Sequence, residues 1–387
     1  ITNGGIADIL TVMAKTDVET KNGIEKRISA FLVTPDMPGF IVIEKAMDKV
    51  GIRGTMTAKL EFHDIEIPAA NLIGKKGAGL SIPLNILNFG RVTFGAACTG
   101  AAKYCVHRAA EYAAQRIQFK RPLASFEMVK RKIARMAAYT YAMDAGTYLT
   151  ASMFDRGEKD FMLEAAMVKV FGAEALWETV NETIQIFGGK AFFTDEPFER
   201  MMRDARLNSI GEGANEILRN FIGLVGMRGV GLHLKEVTDK AKSFLSFASF
   251  LKDSIETLGS LISAPKIDID CKDLQSEVHE LCHYYKNFHW DVTKQLAKYK
   301  EGIVDVQLPV NRIAEIAMAL YNCSAVVIKY DNDSREGKLS TEELQRDLAC
   351  ARLYFKEAFA TIERCNAEFK ENLDEDYNKL SDLITGI

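Results

Sequence analysis

The feature that most constrains this chain is a change in hydrophobic period near residue 75. Before it, runs such as 7–16 (ADILTVMAKT) and 57–67 (TAKLEFHDIEI) alternate apolar and polar residues and are rich in β-branched side chains. Gly, Pro, Asp and Asn separate these runs, a pattern typical of strands joined by turns. After 74–80 (GKKGAGL) apolar residues recur with a period of 3.6, which predicts long helices. The sequence therefore predicts an α+β fold.

We expect three units: a small antiparallel β domain over 1–75, a domain of long helices resembling a four-helix bundle over 76–230, and an extra all-α domain over 231–387. The predicted helices are 77–116, 122–156, 158–187, 195–208, 214–228, 235–263, 268–302, 307–330 and 340–371. The glycine-containing segment 226–231 (GMRGVG) is expected to separate two helices. Ser340 and Glu343 fit a capping box at the start of the last one.

Composition excludes several classes of protein. The net charge of −4 argues against a broad nucleic-acid-binding surface. Seven scattered cysteines, never in a CxxC, indicate free thiols in a reducing compartment. No apolar run reaches 18 residues, so we expect no membrane-spanning helix. The chain opens on Ile1-Thr2-Asn3-Gly4-Gly5 without Met or signal peptide, and we interpret it as a fragment that begins inside a domain.

A lone carboxylate, Glu212, lies between Gly211 and Gly213 within 203–219 (RDARLNSIGEGANEILR). Flanking glycines let the backbone turn sharply, and the helical spacing that follows predicts that a helix begins at the glutamate. Such a carboxylate can project into a cavity as a general base, and the preceding Arg203 and Arg206 suggest an anionic ligand. By itself, the pattern also fits a turn between helices with a solvated glutamate.

Three further segments accompany this motif in a fixed order: 2–5 (TNGG), 116–122 (RIQFKRP) and 185–189 (QIFGG). Together the four segments resemble the acyl-CoA dehydrogenases, FAD enzymes that introduce a double bond between Cα and Cβ of an acyl-CoA. The likeness runs from residue 1 to about 228. From 229 onward, especially at 300–307 (KEGIVDVQ), the chain resembles the additional C-terminal domain of the very-long-chain members.

The resemblance implies a role for each matching residue. Glu212 would be the catalytic base, in a desolvated pocket where burial raises the pKa of a carboxyl toward neutrality. Its backbone N–H would polarise the thioester carbonyl, and hydride would pass to the flavin. The implied flavin contacts are Thr2, Ala214, Asn215 and Glu216, with Arg116, Phe119, Gln185, Gly188 and Gly189 reaching the FAD of a neighbouring subunit. The implied substrate contacts are Asn88, Arg91, Gly211 and Gly213.

The activity implied is oxidation of a long-chain acyl-CoA to the trans-2-enoyl-CoA in fatty acid β-oxidation, with electrons passed to an electron-transfer flavoprotein. A homodimer is implied because the cofactor contacts cross subunits. The implied location is the matrix side of the mitochondrial inner membrane in a eukaryote, or the cytoplasm in a bacterium. No metal is implied, and the sequence does not fix the preferred chain length.

Two other functions stay open at this point. The chain could be a non-catalytic relative that acts as a scaffold through 229–387. His279-Glu280-x-x-His283 also matches the zinc-peptidase motif, with Glu301 as a loose candidate for a further ligand. Separately, 240–263 carries an apolar stripe flanked by lysines, which fits either contact with a membrane surface or packing on the C-terminal domain. The stripe consists of Phe244, Ala248, Leu251, Ile255, Leu258 and Ile262.

Overall fold

The computed structural model of the chain describes residues 1–158, 160–241 and 267–386. The first 73 residues form strands, and helices follow, so the predicted α+β fold is confirmed. The strands are β1 (Leu10–Thr20), β2 (Gly23–Val33), β3 (Phe40–Glu44), β4 (Lys59–Phe62) and β5 (Leu72–Ile73). The first five helices are α1 (Ser81–Gln115), α2 (Glu127–Asp155), α3 (Met162–Phe187), α4 (Phe198–Asn208) and α5 (Asn215–Ala241). The C-terminal helices are α6 (Gln275–Tyr299), α7 (Gln307–Glu336), α8 (Thr341–Glu368) and α9 (Asp374–Thr385).

The β domain is built on a long antiparallel hairpin. Strands β1 and β2 pair from Leu10 opposite Val33 to Thr20 opposite Gly23, and β5 adds to the free edge of β2. Strands β3 and β4 form a separate antiparallel pair. Along β1 the exposure alternates from residue to residue, as the period-2 pattern predicts for a sheet with one covered face.

Helices α1 and α3 pack closely because small residues face each other. A methyl group added at Gly95 would lie 2.3 Å from Cγ1 of Val168, so only glycine fits there. Further along both helices the rings of Tyr112 and Phe187 stack with centroids 4.1 Å apart. The two helices therefore run in the same direction, and their C-terminal ends meet at one end of the bundle.

Helix α7 is the central helix of the C-terminal half. By length and composition it could cross a membrane, yet 67% of its apolar window is buried in the protein. The fully buried Ile313, Ile316 and Leu320 lie along it. We interpret it as a core helix, because its apolar residues are covered by α5, α6 and α8.

Two helix predictions are wrong. Helix α5 continues through the glycine-containing segment 226–231 to Ala241, so the expected boundary at 230 falls inside a helix. A glycine in a helix costs only about 1 kcal/mol, which packing against a neighbouring helix offsets. Helix α9 was not predicted, because a single helix ending near 371 was expected. The stripe within 240–263 begins at Phe244 and lies outside the described residues, so its role stays a prediction.

The capping box at the start of α8 is confirmed. The Glu343 N–H donates to Oγ of Ser340 at 3.2 Å, and the Ser340 N–H donates to Oε2 of Glu343 at 2.8 Å. These two bonds satisfy N–H groups that a helix start leaves without a helical partner.

Candidate active site

A tight loop joins α4 to α5 and carries Glu212. The N–H groups of Ile210 and Gly211 both donate to the carbonyl of Leu207, and the Asn215 N–H donates back to the carbonyl of Ser209 at 3.0 Å. Glu212 has a φ of 59°, in the left-handed region that non-glycine residues rarely adopt. Such strain persists only where the surroundings impose it, and it is common at functional sites. Helix α5 begins at Asn215, three residues after the glutamate where the sequence predicted its start.

The Glu212 side chain points inward, onto α1. Its carboxylate lies over Gly90, where an added methyl group would be 2.6 Å from Oε2 and 3.0 Å from Cδ. Oε2 is buried and has no hydrogen-bond partner among the described residues. A buried carboxylate oxygen left without a partner is costly, and in native proteins it calls for a functional explanation. This arrangement suits an oxygen that accepts a proton from a ligand.

Two predicted substrate residues of α1 lie beside this carboxylate. Arg91 donates from Nε to the backbone carbonyl of Glu212 at 3.4 Å and from Nη1 to Oδ1 of Asn88 at 3.5 Å. Burial lowers the pKa of Arg91, and the Glu212 carboxylate opposes that shift. The structure thus brings Asn88 and Arg91 to Glu212, which lies more than 120 residues later in the chain.

The sequence reasoning missed Lys169, the third element of this site. The side chain is fully buried on α3, and Nζ donates to the backbone carbonyl of Gly213 and to Oδ1 of Asn215, both at 2.8 Å. Burial lowers its pKa to about 8, against an ordinary value of 10.5. The sequence did carry a signal for this residue. Lys169 is the one charged residue in the otherwise apolar run 165–173 (AAMVKVFGA), which is typical of a buried helix segment.

The expectation that Arg203 faces an anionic ligand is wrong. Its guanidinium pairs with Glu199 one turn earlier at 2.9 Å and donates to the carbonyl of Val50 at 3.0 Å. The neighbouring Asp204 accepts the Ile52 N–H. These contacts fasten a loop of the β domain to α4, so Arg203 has a structural use. Arg206 is exposed.

The residues predicted to reach a neighbouring subunit are at the far end of the bundle. Arg116, Phe119, Gln185, Gly188 and Gly189 are all exposed there, at the C-terminal ends of α1 and α3. A short hairpin, β6 (Ile117–Gln118) with β7 (Arg121–Pro122), presents Phe119 at its turn with 87% of the residue exposed. Open space surrounds both glycines.

The two groups of predicted cofactor residues are far apart within one chain. About 26 residues of α1 separate Gly90, under Glu212, from Arg116, which corresponds to about 39 Å of helix. Ala214, Asn215 and Glu216 lie with Glu212 at the start of α5. Thr2 is exposed in the first turn of the β domain. One chain therefore presents two separate partial sites.

The zinc-peptidase motif lies on the surface of α6. His279 and His283 are both exposed, and Nε2 of His283 is 2.9 Å from Nδ2 of Asn287. Within 1–158, 160–241 and 267–386, no group of three or more His, Cys, Asp or Glu residues is placed to hold a metal ion. Among the residues that the structure describes, these histidines therefore have no further ligand of the kind that a zinc site needs.

Three family models match the chain and together span most of it. Residues 1–65 match the middle domain of acyl-CoA dehydrogenases, and 77–226 match the C-terminal domain of the same family. Residues 272–386 match the ACAD9/ACADV C-terminal domain. The order is the one expected from the sequence.

Curated relatives agree with these matches. The mitochondrial very long-chain specific acyl-CoA dehydrogenase of Bos taurus is 34% identical over 346 residues, covering 87% of this chain and 52% of that protein. The Homo sapiens protein of the same name is 33% identical over 346 residues, with the same coverage. The probable acyl-CoA dehydrogenase FadE10 of Mycobacterium tuberculosis is 38% identical over 250 residues, covering 62% of this chain and 38% of that protein. The chain spans about half the length of the very long-chain relatives it matches.

Solved structures share the fold. An acyl-CoA dehydrogenase complexed with FAD from Bacillus anthracis superposes with a TM-score of 0.79 at 29% identity, covering 99% of this chain and 65% of that one. Butyryl-CoA dehydrogenase of Megasphaera elsdenii gives a TM-score of 0.53 at 36% identity, covering 58% of this chain and 57% of that one. From the domain matches, the relatives and the shared fold, we conclude that this chain belongs to the acyl-CoA dehydrogenase family and resembles its very-long-chain type.

Proposed function

We propose that the protein containing this chain is an FAD-dependent acyl-CoA dehydrogenase in which Glu212 removes the α-proton of an acyl-CoA thioester. The observation that carries the proposal is the Glu212 carboxylate, which lies on Gly90 with Oε2 buried and without a partner among the described residues. A carboxylate oxygen that no protein donor occupies is available to accept a proton from a ligand bound beside it.

The described residues fit the cofactor. The start of α5 presents Ala214 and Asn215 at the positive end of a helix, which suits an electron-rich or anionic group. At the other end of the bundle the exposed Arg116 could hold a phosphate bidentately, and open space surrounds Gly188 and Gly189. When bound, FAD would accept the hydride from Cβ.

The chain itself supplies alignment and proton transfer. The left-handed turn at Glu212 directs its backbone N–H and its carboxylate from one short loop, so one residue could bind the thioester oxygen and take the α-proton. Arg91 holds the carbonyl of this residue, and Lys169 holds the carbonyl of the next, Gly213. These two cations hold consecutive carbonyls of the loop, one from α1 and the other from α3.

A homodimer is part of the proposal. Because about 39 Å of α1 separates Gly90 from Arg116, the two partial sites of one chain cannot hold the same part of one cofactor. Two copies, with the α5 end of one facing the Arg116 end of the other, would complete both sites. We further propose a long-chain acyl-CoA as substrate, an electron-transfer flavoprotein as acceptor, and the mitochondrial or bacterial cytoplasmic location that the relatives suggest.

The test is Glu212→Gln in the FAD-loaded enzyme, with Glu111→Gln on the exposed face of α1 as the matched control. We expect Glu212→Gln to retain the yellow cofactor. The rate at which a long-chain acyl-CoA bleaches the flavin anaerobically should fall at least about 1000-fold, because the amide cannot accept the proton. Glu111→Gln should bleach like the wild type. Bleaching of Glu212→Gln at the wild-type rate would contradict the proposal that Glu212 is the base. A wild-type protein that binds FAD and is never bleached would favour the scaffold function.

A further inference from the structure

A continuous line of polar side chains links the Glu212 loop to α3. Asn215, the first residue of α5, accepts a hydrogen bond from Lys169 through Oδ1 and donates from Nδ2 to Oε1 of Glu174 at 3.1 Å. Oε2 of Glu174 also accepts a hydrogen bond from Nη2 of Arg219 at 2.7 Å. The loop that carries Glu212 is thus fastened to α3 through the first turn of α5.

The line continues into the C-terminal domain. Nη1 of Arg219 lies 3.2 Å from Oε1 of Glu315 on α7 and 3.3 Å from Oδ1 of Asn311. Asn311 itself donates to Oε1 of Glu315 at 2.9 Å. The second oxygen of Glu315 is paired with Arg364 on α8. Arg219 is therefore held between one carboxylate of the catalytic domain and one of the C-terminal domain.

Apolar packing shields this junction from water. Leu218 and Ile222 of α5 share one buried cluster with Ala314 and Met318 of α7. The side chains of Arg219 and Glu315 are only 18% and 19% exposed. Burial alone would raise the pKa of Glu315. The positive charges of Arg219 and Arg364 outweigh the effect of burial and hold the pKa of Glu315 below its usual value. The carboxylate is therefore charged at neutral pH, and bulk salt screens its pairing only weakly.

We propose that Glu315 and Arg219 are positioning residues for Glu212, through which the C-terminal domain holds the loop of the catalytic base. The proposal rests on the proposed function of Glu212. Only residues 209–214 separate α4 from α5, so a shift of the α5 start moves the glutamate as well. Small displacements of a catalytic group are costly, because reacting atoms must approach within about 3–3.5 Å.

The pair Arg135–Glu357 provides a matched control. It also joins the helical domain to the C-terminal domain, with Nε of Arg135 on α2 lying 3.2 Å from Oε2 of Glu357 on α8. No contact of this pair reaches the Glu212 loop within the described residues. Glu315→Gln and Glu357→Gln each remove one negative charge from an interdomain ion pair. Glu315 also pairs with Arg364 and is less exposed than Glu357, so Glu357→Gln controls for the loss of an interdomain charge away from the Glu212 loop.

The primary readout is amide hydrogen exchange of peptides covering 209–216. It requires no catalysis and is measured on the FAD-loaded enzyme. We expect Glu315→Gln to accelerate exchange of the Asn215 amide, which is bonded to the Ser209 carbonyl, by about tenfold, and Glu357→Gln to leave it unchanged. Equal exchange of this loop in both variants and the wild type would overturn the proposal.

The second readout is flavin reduction by a long-chain acyl-CoA. Glu315→Gln should slow the reduction step about tenfold while changing the KM much less, because alignment of the base is lost and binding is kept. The effects of Glu174→Gln and Glu315→Gln should be less than multiplicative in the double variant, since both carboxylates bind Arg219, while Glu174 also binds Asn215 directly. A wild-type rate in Glu315→Gln, with Glu212→Gln inactive, would refute only this inference. Unimpaired reduction in Glu212→Gln would refute the proposed function.

Discussion

The carboxylate of Glu212 lies directly on Gly90, and a methyl group at Gly90 would approach Oε2 to 2.6 Å. Glycine in the middle of a helix is unfavourable, so a close approach of this kind is a sufficient physical reason for it. The contact also defines where the proposed base lies: at α1, next to Asn88 and Arg91, and not in the solvent between α4 and α5.

Replacing this glycine tests the geometry of the base without touching its chemistry. Gly90→Ala should displace the carboxylate by several tenths of an ångström or rotate it away, because the methyl group would overlap Oε2 and Cδ. We expect the rate of flavin reduction to fall by about 10- to 100-fold. The measurement is single-turnover reduction of the FAD-loaded enzyme by a long-chain acyl-CoA.

Gly100→Ala on the same helix is the matched control, because nothing lies within 4 Å of a methyl group there. It should leave flavin reduction unchanged and raise the free energy of unfolding by about 0.5–1 kcal/mol through better helix propensity. A Gly90→Ala enzyme with the kinetics of Gly100→Ala would mean that the carboxylate does not rest on α1 during turnover.

Lys169 should make stability depend on pH in the alkaline range. Its folded pKa is about 8, and the unfolded value is near 10.5. Between pH 8 and 10.5 Lys169 is protonated in the unfolded chain and largely deprotonated in the folded one. The contribution of Lys169 to the free energy of unfolding therefore rises as the pH rises from about 8 to 10.5, and it does not change with pH below about 8. Relative to Lys169→Met, the wild type should gain on the order of 2 kcal/mol across this window.

Urea unfolding at pH 7, 8, 9 and 10 checks this difference, with Lys130→Met on the exposed face of α2 as the control. At pH 7, Lys169→Met should already be less stable by about 2 kcal/mol, because Gly213 and Asn215 each lose the donor 2.8 Å away. Parallel pH profiles for wild type and Lys169→Met would show that Lys169 keeps its proton throughout this range.

Ser340 tests the C-terminal domain separately. Ser340→Ala removes the side-chain half of the capping box and should cost about 1 kcal/mol of unfolding free energy. Flavin reduction at a temperature well below the transition should not change, since the side-chain hydrogen bonds of the exposed Ser340 stay within its own helix start, with Glu343. Thermal unfolding followed by circular dichroism measures the loss of stability. A Tm equal to that of the wild type would mean that this helix start frays before the domain unfolds.

Local patterns were enough to predict part of this structure. The change of period near residue 75 and the capping box at Ser340 each depend on neighbouring residues only. The glycines around Glu212 correctly predicted a sharp turn, because the left-handed backbone at 212 and 213 is a local requirement. Continuation of α5 to Ala241 was missed, since burial of Met227 against Val310 and Ile313 of α7 outweighs the weak helix propensity of glycine.

The sequence by itself determined the change from strands to helices near residue 75, the position of the lone carboxylate between two glycines, and the likeness to the acyl-CoA dehydrogenases. Only the tertiary structure decided what surrounds that carboxylate: Gly90 beneath it, Lys169 behind the loop, and Arg219 with Glu315 holding the start of α5. The tertiary structure also decided that Arg203 of α4 binds the carbonyl of Val50 in a loop of the β domain. The physical reason is that turns and helix starts depend on backbone preferences within a few residues. Burial and ion pairing depend on helices that meet only when the whole chain has folded.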